Sequence, residues 1–368
     1  MSSDNPASFT DLCEAHAYVC TAETHVHAGV RGLRTTGAVP AGDPVIAVPW
    51  ELVLTSPVAA TSKHRVAAHH IDVVGQLLAA LNSSHGNVRA QFWRQWSAML
   101  PRLADLPHPA ALPRELLGEL QDSHMAATAQ LARAHVEESI GCTACDVAHW
   151  ATALVRSRPF TLPPPSNDDA SAGGIFAFVP FADMANHEGH APSCEVRAVG
   201  SKATPDQYTA VELVALRPLQ PHEMMTIDYG LSRAFPSTTF SDFGFVMDSP
   251  EALARDELAR LHARAANDFT TGLEADEALL EASARAPGGD ARMHAIVSYR
   301  VHMKRALRSS ISRGTYDVLD ATLPHGRDGV QAPLRLPSTG AVAWSTAGTG
   351  TVTAVLAGAW WCRHRRRV

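Results

Sequence analysis

The feature that most constrains this chain is a texture that switches between two kinds and back again. Short apolar runs broken by Gly and Pro come first: Gly29-Val30-Arg31-Gly32-Leu33, then Val45-Ile46-Ala47-Val48-Pro49 after the turn Ala41-Gly42-Asp43-Pro44. Such runs are the mark of small strands. From Val66 to Trp150 helix formers take over: Gln76–Leu81 and Glu115–Leu120 carry helical spacing, and Met125–Glu138 is Ala-rich and amphipathic. Strand-like pieces return at Ile175–Val179, Ser193–Val199 and Tyr208–Ala215, after the loop-forming Leu162-Pro163-Pro164-Pro165-Ser166-Asn167-Asp168-Asp169. Beyond Pro250 the texture is helical again, in Glu251–Ala266 and Ala275–Ala284. A doubly wound sheet requires strand and helix to alternate, and this order does not. The sequence therefore predicts an α+β fold, a core of small sheets interrupted by a helical insertion.

Composition narrows the function classes. Of 368 residues, 46% are hydrophobic and 18% charged, which is ample for a core and excludes global disorder. The net charge of −6 argues against a general nucleic-acid coat. The six cysteines (13, 20, 142, 145, 194, 362) are sparse and irregular, so they form no disulfide framework and suit a reducing compartment. The opening MSSDNPASFTDLCEAH has no basic or apolar targeting character, so the expected localisation is cytoplasmic or nuclear. Residues 341–362 carry no charge, but five Ser/Thr and three Gly weaken them as a span, and the Arg cluster at 363–367 opposes transfer of the terminus. Membrane contact of this tail is not expected. The Arg run reads as a solvated charge cluster on an acidic protein, and no nucleic-acid partner is expected.

Two segments concentrate chemistry. Phe178-Val179-Pro180-Phe181-Ala182-Asp183-Met184-Ala185-Asn186-His187 runs an apolar strand into a carboxylate, an amide and an imidazole. Any one of these could simply cap a turn, but polar groups this close to a core need partners. Glu223-Met224-Met225-Thr226-Ile227-Asp228-Tyr229-Gly230 ends a strand on a tyrosine, and Phe240–Val246 follows as an aromatic cluster. Alone, each of these reads as packing.

Taken in order, these blocks resemble the SET-domain protein methyltransferases. Within them the chain is similar to the class of the Rubisco large-subunit lysine methyltransferase and the actin-histidine methyltransferase. Gly29–Leu33 with Ala41-Gly42-Asp43 looks like the opening Gly-rich strand and turn. Phe92-Trp93 to Leu100-Pro101 and Leu117–Gln121 look like the inserted helical region. Asp183–His187 looks like the Asn-His motif, and Ile227–Gly230 with Phe243-Gly244-Phe245 like the closing motif.

The resemblance implies small curled sheets, with the closing segment threaded under the Asn-His loop in a pseudoknot. That threading would join Asn186, His187 and Tyr229 across about forty residues. It implies a boundary scheme: a polar lead-in over 1–20, a SET domain over 21–250 with an insert at about 64–150, a shortened helical lobe over 251–320 that docks substrate, and a tail over 321–368. It also implies S-adenosylmethionine (SAM) as methyl donor and a side-chain nitrogen of a protein as acceptor. Cofactor-binding positions would be Gly29, Val30, Arg31, Gly32, Arg158, Asp183, Asn186, His187 and Tyr229. Tyr229 would be catalytic, with Phe160 and Phe243 on the substrate. Phe160 follows the lysine-type pattern, which favours lysine over histidine as acceptor. Phe243 stands where the Rubisco-type enzymes carry a second tyrosine, a change that bears on the number of methyl groups added.

The same residues admit other readings. Asp183, His187 and His190, or His25 and His27, or Cys142 and Cys145, could be drawn as metal ligands, but a lone C-x-x-C is weak for zinc and no metal is expected. A protein-histidine methyltransferase is one alternative. A non-catalytic SET-like scaffold that binds protein is another, favoured by the short C-terminal lobe and opposed by the retained tyrosine. A monomer is expected.

Overall fold

The computed structural model describes residues 8–27, 30–59, 66–83, 87–142, 145–164, 172–200, 207–231, 236–247, 255–285 and 290–312. Gly29 and the segment 321–368, with its uncharged stretch and Arg cluster, lie outside the described residues. The first part of the chain forms α1 (Phe9–His16), β1 (Val19–Cys20), β2 (Ala22–His27), β3 (Val30–Thr35), β4 (Pro44–Pro49) and β5 (Leu54–Ala59). The insertion forms α2 (Val66–Asn82), α3 (Val88–Met99), α4 (Arg114–Leu117), α5 (Ser123–Ile140) and α6 (Asp146–Ser157). Strands return as β6 (Pro159–Leu162), β7 (Ala172–Phe178), β8 (Asn186–His187), β9 (Cys194–Gly200), β10 (Tyr208–Ala215) and β11 (Met224–Ile227). Helices close the fold: α7 (Pro236–Phe243), α8 (Arg255–Asp268), α9 (Leu273–Arg285) and α10 (Ala291–Ser312). The α+β class and the interrupted-core architecture agree with the sequence reading.

Three small sheets carry the core, in the orders β1-β4-β10-β9, β2-β3-β11-β8 and β5-β7-β6. β4 and β10 are central in the first and pair in antiparallel register, Val48 opposite Val211 and Ile46 opposite Leu213. Both faces of such a strand are covered, which is why Pro44–Pro49 reads as an unbroken apolar run. In the second sheet β11 lies between β3, antiparallel, and β8, parallel, with Thr226 beside Asn186 and Ile227 beside His187. This parallel pair is where the closing segment crosses the Asn-His turn.

The N-terminal segment departs from expectation. Residues 1–20 read in the sequence as a polar lead-in, yet α1 is a capped helix inside the core. The Ser8 hydroxyl accepts from the Asp11 amide, and the Asp11 carboxylate accepts from the Ser8 amide at 2.9 Å, a reciprocal capping box. Phe9, Leu12 and Cys13 are buried by it, and β1 joins the first sheet. Spacing of i, i+3 and i+4 in an eight-residue helix is too short a signal to separate from its polar neighbours.

The helices meet in a second core. Leu112, Leu117, Leu120, Met125 and Ala129 of the insertion pack in one cluster with Phe240 of α7 and with Leu261, Ile296, Tyr299 and Met303 of the C-terminal helices. The insertion and the C-terminal lobe share a core rather than forming separate units. Polar groups reinforce the seam. Asp122 accepts from the Tyr299 hydroxyl at 2.7 Å and from Arg264 at 3.0 Å, while Gln121 and buried Asp276 receive Lys304. Buried charge is tolerated there because each group is paired.

Candidate active site

The turn that presents Asn186 and His187 begins with a strained residue. Phe181 has φ +67° and ψ −57°, and the Ala182 amide donates to the Pro180 carbonyl at 2.8 Å. This is the rare positive-φ γ-turn, which costs about 1–3 kcal/mol for a residue with a side chain. Packing holds it in place: the Phe181 ring is fully buried against Phe9 of α1 at 5.7 Å and against Phe92 and Trp96 of α3 at 5.6 and 4.8 Å. The bend aims the next residues inward, so Asp183 is buried and β8 starts beside β11.

The crossing then locks three motif residues together. The Tyr229 amide donates to His187 Nδ1 at 3.1 Å, which makes that nitrogen an acceptor. The two rings sit 5.1 Å apart. The Asn186 side-chain amide donates to the Arg31 carbonyl at 3.3 Å, tying β8 to β3. Gly32 is required at this point, because a Cβ there would collide with the Asn186 amide. The absence of that carbon is what lets the two backbones approach.

Next to the crossing lies a charged cluster. Arg158 donates to the Asp183 carbonyl at 2.9 Å and to its carboxylate at 3.2 Å. Arg31 is close enough to act electrostatically on both, and its guanidinium donates to the Met99 carbonyl at the end of α3. Burial pushes the Asp183 carboxyl up to about 6, although Arg158 and Arg31 pull it down. Burial also lowers Arg31, helped by the like charge of Arg158. Four buried polar atoms here lack a hydrogen-bond partner: Arg31 Nη2, Arg158 Nε, Asp183 Oδ1 and His187 Nε2. Such atoms are costly unless something else binds them.

A cavity of about 630 Å³ opens against this cluster. Tyr229 forms part of its wall, and its hydroxyl donates to the Ala185 carbonyl at 2.7 Å. Burial raises the phenol to about 12, so it stays protonated at neutral pH. Phe243 stacks on Tyr229 at 5.3 Å and 28°, and Phe245 stands behind both, 6.4 Å from Tyr229. Phe160 of β6 contributes another wall.

The sequence-derived residues thus fall into two groups. Arg158, Phe160, Asp183, Tyr229 and Phe243 line the cavity. Arg31, Gly32, Asn186 and His187 instead form the strand crossing beside it, and Val30 is more exposed to solvent than buried. Sequence reasoning missed the wall from the first sheet, Cys194, Val196 and Leu216. Alternation in β9 was the signal for a one-sided strand, but nothing local says which strand faces a cavity. It also missed the ion pair of Arg156 with Asp242 at 3.1 Å, which joins α6 to α7. Among the described residues no group of three or more His, Cys, Asp and Glu is placed to hold a metal ion.

Comparison with known proteins fits this geometry. A search of curated protein sequences found no match. Among solved structures, the SET domain of LSMT bound to lysine and AdoHcy is similar in fold, with TM-score 0.59 and 16% identity over 86% of this chain and 93% of that one. Rubisco LSMT bound to sinefungin and monomethyllysine gives TM-score 0.58 and 15% identity over 85% and 92%. Rubisco LSMT bound to AdoMet gives 0.55 and 15% over 84% and 90%. At these identities the likeness speaks to the fold. The family model for the SET domain matches residues 30–230, more than half of the chain. Because that single match runs from the opening strand through the Asn-His turn to the closing tyrosine, the chain belongs to the SET-domain family.

Proposed function

We propose that this protein is a SAM-dependent protein-lysine N-methyltransferase, with Tyr229 as its catalytic residue. The observation that carries the reading is the position of the Tyr229 phenol: buried, protonated, on the wall of an aromatic cavity and beside the β8–β11 crossing. Solved structures of similar fold are named for AdoMet, AdoHcy and lysine, which supports the same donor and acceptor here.

The residues present suit SAM. Its methionyl end carries a carboxylate and an ammonium, and the four unpartnered buried atoms of Arg31, Arg158, Asp183 and His187 offer both donors and an acceptor. Two guanidinium groups beside one carboxylate leave the cluster positive, which favours an added carboxylate. Bound SAM supplies an electrophilic methyl group on a sulfonium.

The chain's own groups prepare the acceptor. Phe160 and Phe243 remove water from an entering lysine side chain, and a desolvated amine favours its neutral, nucleophilic form. The Tyr229 hydroxyl spends its proton on the Ala185 carbonyl, so its oxygen lone pairs are free to orient an amine by accepting from it. With the phenol near 12, Tyr229 acts as a fixed dipole and not as a base. Alignment of donor and acceptor then supplies most of the acceleration. We assign substrate docking to the C-terminal helices α8–α10.

The test is incubation of the protein with methyl-tritiated SAM and a lysate of the source organism, followed by identification of the labelled residue. Label on a lysine supports the reading. Label on a histidine replaces lysine by the histidine alternative, and no label with no calorimetric SAM binding leaves a non-catalytic scaffold.

A further inference from the structure

We infer that His108, from the helical insertion, is the positioning residue that fixes the aromatic wall formed by Phe243 against Tyr229. The inference rests on the reading above only in treating those two rings as the acceptor wall.

Three observations converge on it. First, Gly244 has φ +77°, and a Cβ built there would lie 2.9 Å from both the backbone nitrogen and Cα of His108. The insertion backbone is therefore pressed directly beneath the residue that follows Phe243. Second, His108 is itself fixed: it is 1% exposed, and its Nδ1 accepts from the Ala110 amide at 3.0 Å, capping the turn Pro109–Ala111. Third, the backbone of Ser241 and Asp242 at the end of α7, the two residues before Phe243, is close enough to act on its ring electrostatically, while its buried Nε2 makes no hydrogen bond.

The surroundings favour a neutral ring in this place. Arg156 of α6 and His70 of α2 face His108, and with burial they hold its imidazole well below the usual range. Arg156 also pairs with Asp242 at 3.1 Å, so α7 is gripped on both sides of its last turn. The α7 end has little freedom left. Phe240 is stacked on Tyr299 of α10 at 4.7 Å, and the Gly244 amide donates to the Phe240 carbonyl at 3.0 Å. The chain continues from there into Phe243–Phe245, and His108 is the support directly under Gly244 at its centre. A reach of this kind makes the insertion part of the acceptor site, although Ser157 at the end of α6 is its one residue on the cavity lining.

The experiment uses the full chain labelled with 3-fluorotyrosine and read by ¹⁹F NMR. The chain has five tyrosines, and the Tyr229 resonance is the one lost in Tyr229→Phe. His108→Ala should move that resonance by more than its linewidth and leave the Tyr299 resonance in place. His108→Asn, which keeps an acceptor for the Ala110 amide, should return it towards the wild-type position. Gly244→Ala should move the same resonance from the other side of the contact. If His108→Ala lowers overall folding, the Asn and Gly244 variants decide. An unmoved Tyr229 resonance in folded His108→Ala overturns the inference. Calorimetric titration of SAM on the same samples separates the two claims: binding with an unmoved resonance keeps the methyltransferase reading and removes the positioning role, and a moved resonance without binding does the reverse.

Discussion

The two sides of the site are built by different means. The strand crossing of β3, β8 and β11 is made of backbone: Asn186 reaches the Arg31 carbonyl, His187 takes the Tyr229 amide, and Gly32 is small because nothing larger fits. The cavity wall is made of side chains drawn from β6, α7 and the first sheet, with their supports further away in α6 and the insertion. Backbone geometry tolerates little substitution, whereas a wall of rings can be repacked. Changes at the crossing should therefore abolish binding or chemistry, and changes at the wall should redirect them.

The largest effect is expected where the two sides meet. Tyr229→Phe should lower methyl transfer by about 10²–10³-fold while SAM binding, measured by calorimetry, stays near wild type. Full activity in that variant would move catalysis to another group. Next comes Asp183. Its carboxyl titrates near 6 in the folded protein against an ordinary value of 3.8, because burial favours the neutral form. The sign follows from proton uptake: the folded state holds the proton more tightly. Stability from this group is complete below the ordinary value and is lost as pH rises through about 6. The loss amounts to at most about 3 kcal/mol. Denaturant melts at several pH values should show this fall in the wild type and a flatter profile in Asp183→Asn.

Gly32→Ala tests the crossing itself. The added methyl must displace the Asn186 amide, and overpacking of this kind costs about 1–3 kcal/mol, so SAM affinity should fall roughly tenfold or more. Retained affinity would mean that β3 and β8 can separate without harm. The mildest change is Phe243→Tyr at the wall. A hydroxyl added next to Tyr229 takes up space and offers a hydrogen bond to the amine, so mass spectrometry of the product should show fewer methyl groups per residue with SAM binding unchanged. An unaltered product distribution would free the wall from any part in methyl count.

The same contrast explains what could be read from the sequence. Asn186, His187 and Tyr229 were legible because each sits in a contiguous motif, and the resemblance tied the motifs together. The core of small sheets was legible from short apolar runs between turns, and Tyr208–Ala215 coincides with β10. Pieces held by long-range packing left no such mark. The α1 helix is too short to show a period, and the cavity wall at Cys194, Val196 and Leu216 depends on which sheet curls over which. His108 looks like any histidine before a proline until the chain is folded. The γ-turn at Phe181 was also invisible, because its cost is carried by aromatic partners far back in the chain, Phe9 of α1 and Phe92 and Trp96 of α3.

The cluster that unites Leu117 and Leu120 with Tyr299 and Met303 has a practical consequence for anyone who would cut this chain. Trimming it after the closing motif would not release a self-sufficient catalytic half. It would strip the cover from an oily helical surface in the middle of the remaining piece, and the fragment would be prone to clump in solution rather than turn over. The insertion and the C-terminal helices have to be inherited and expressed together.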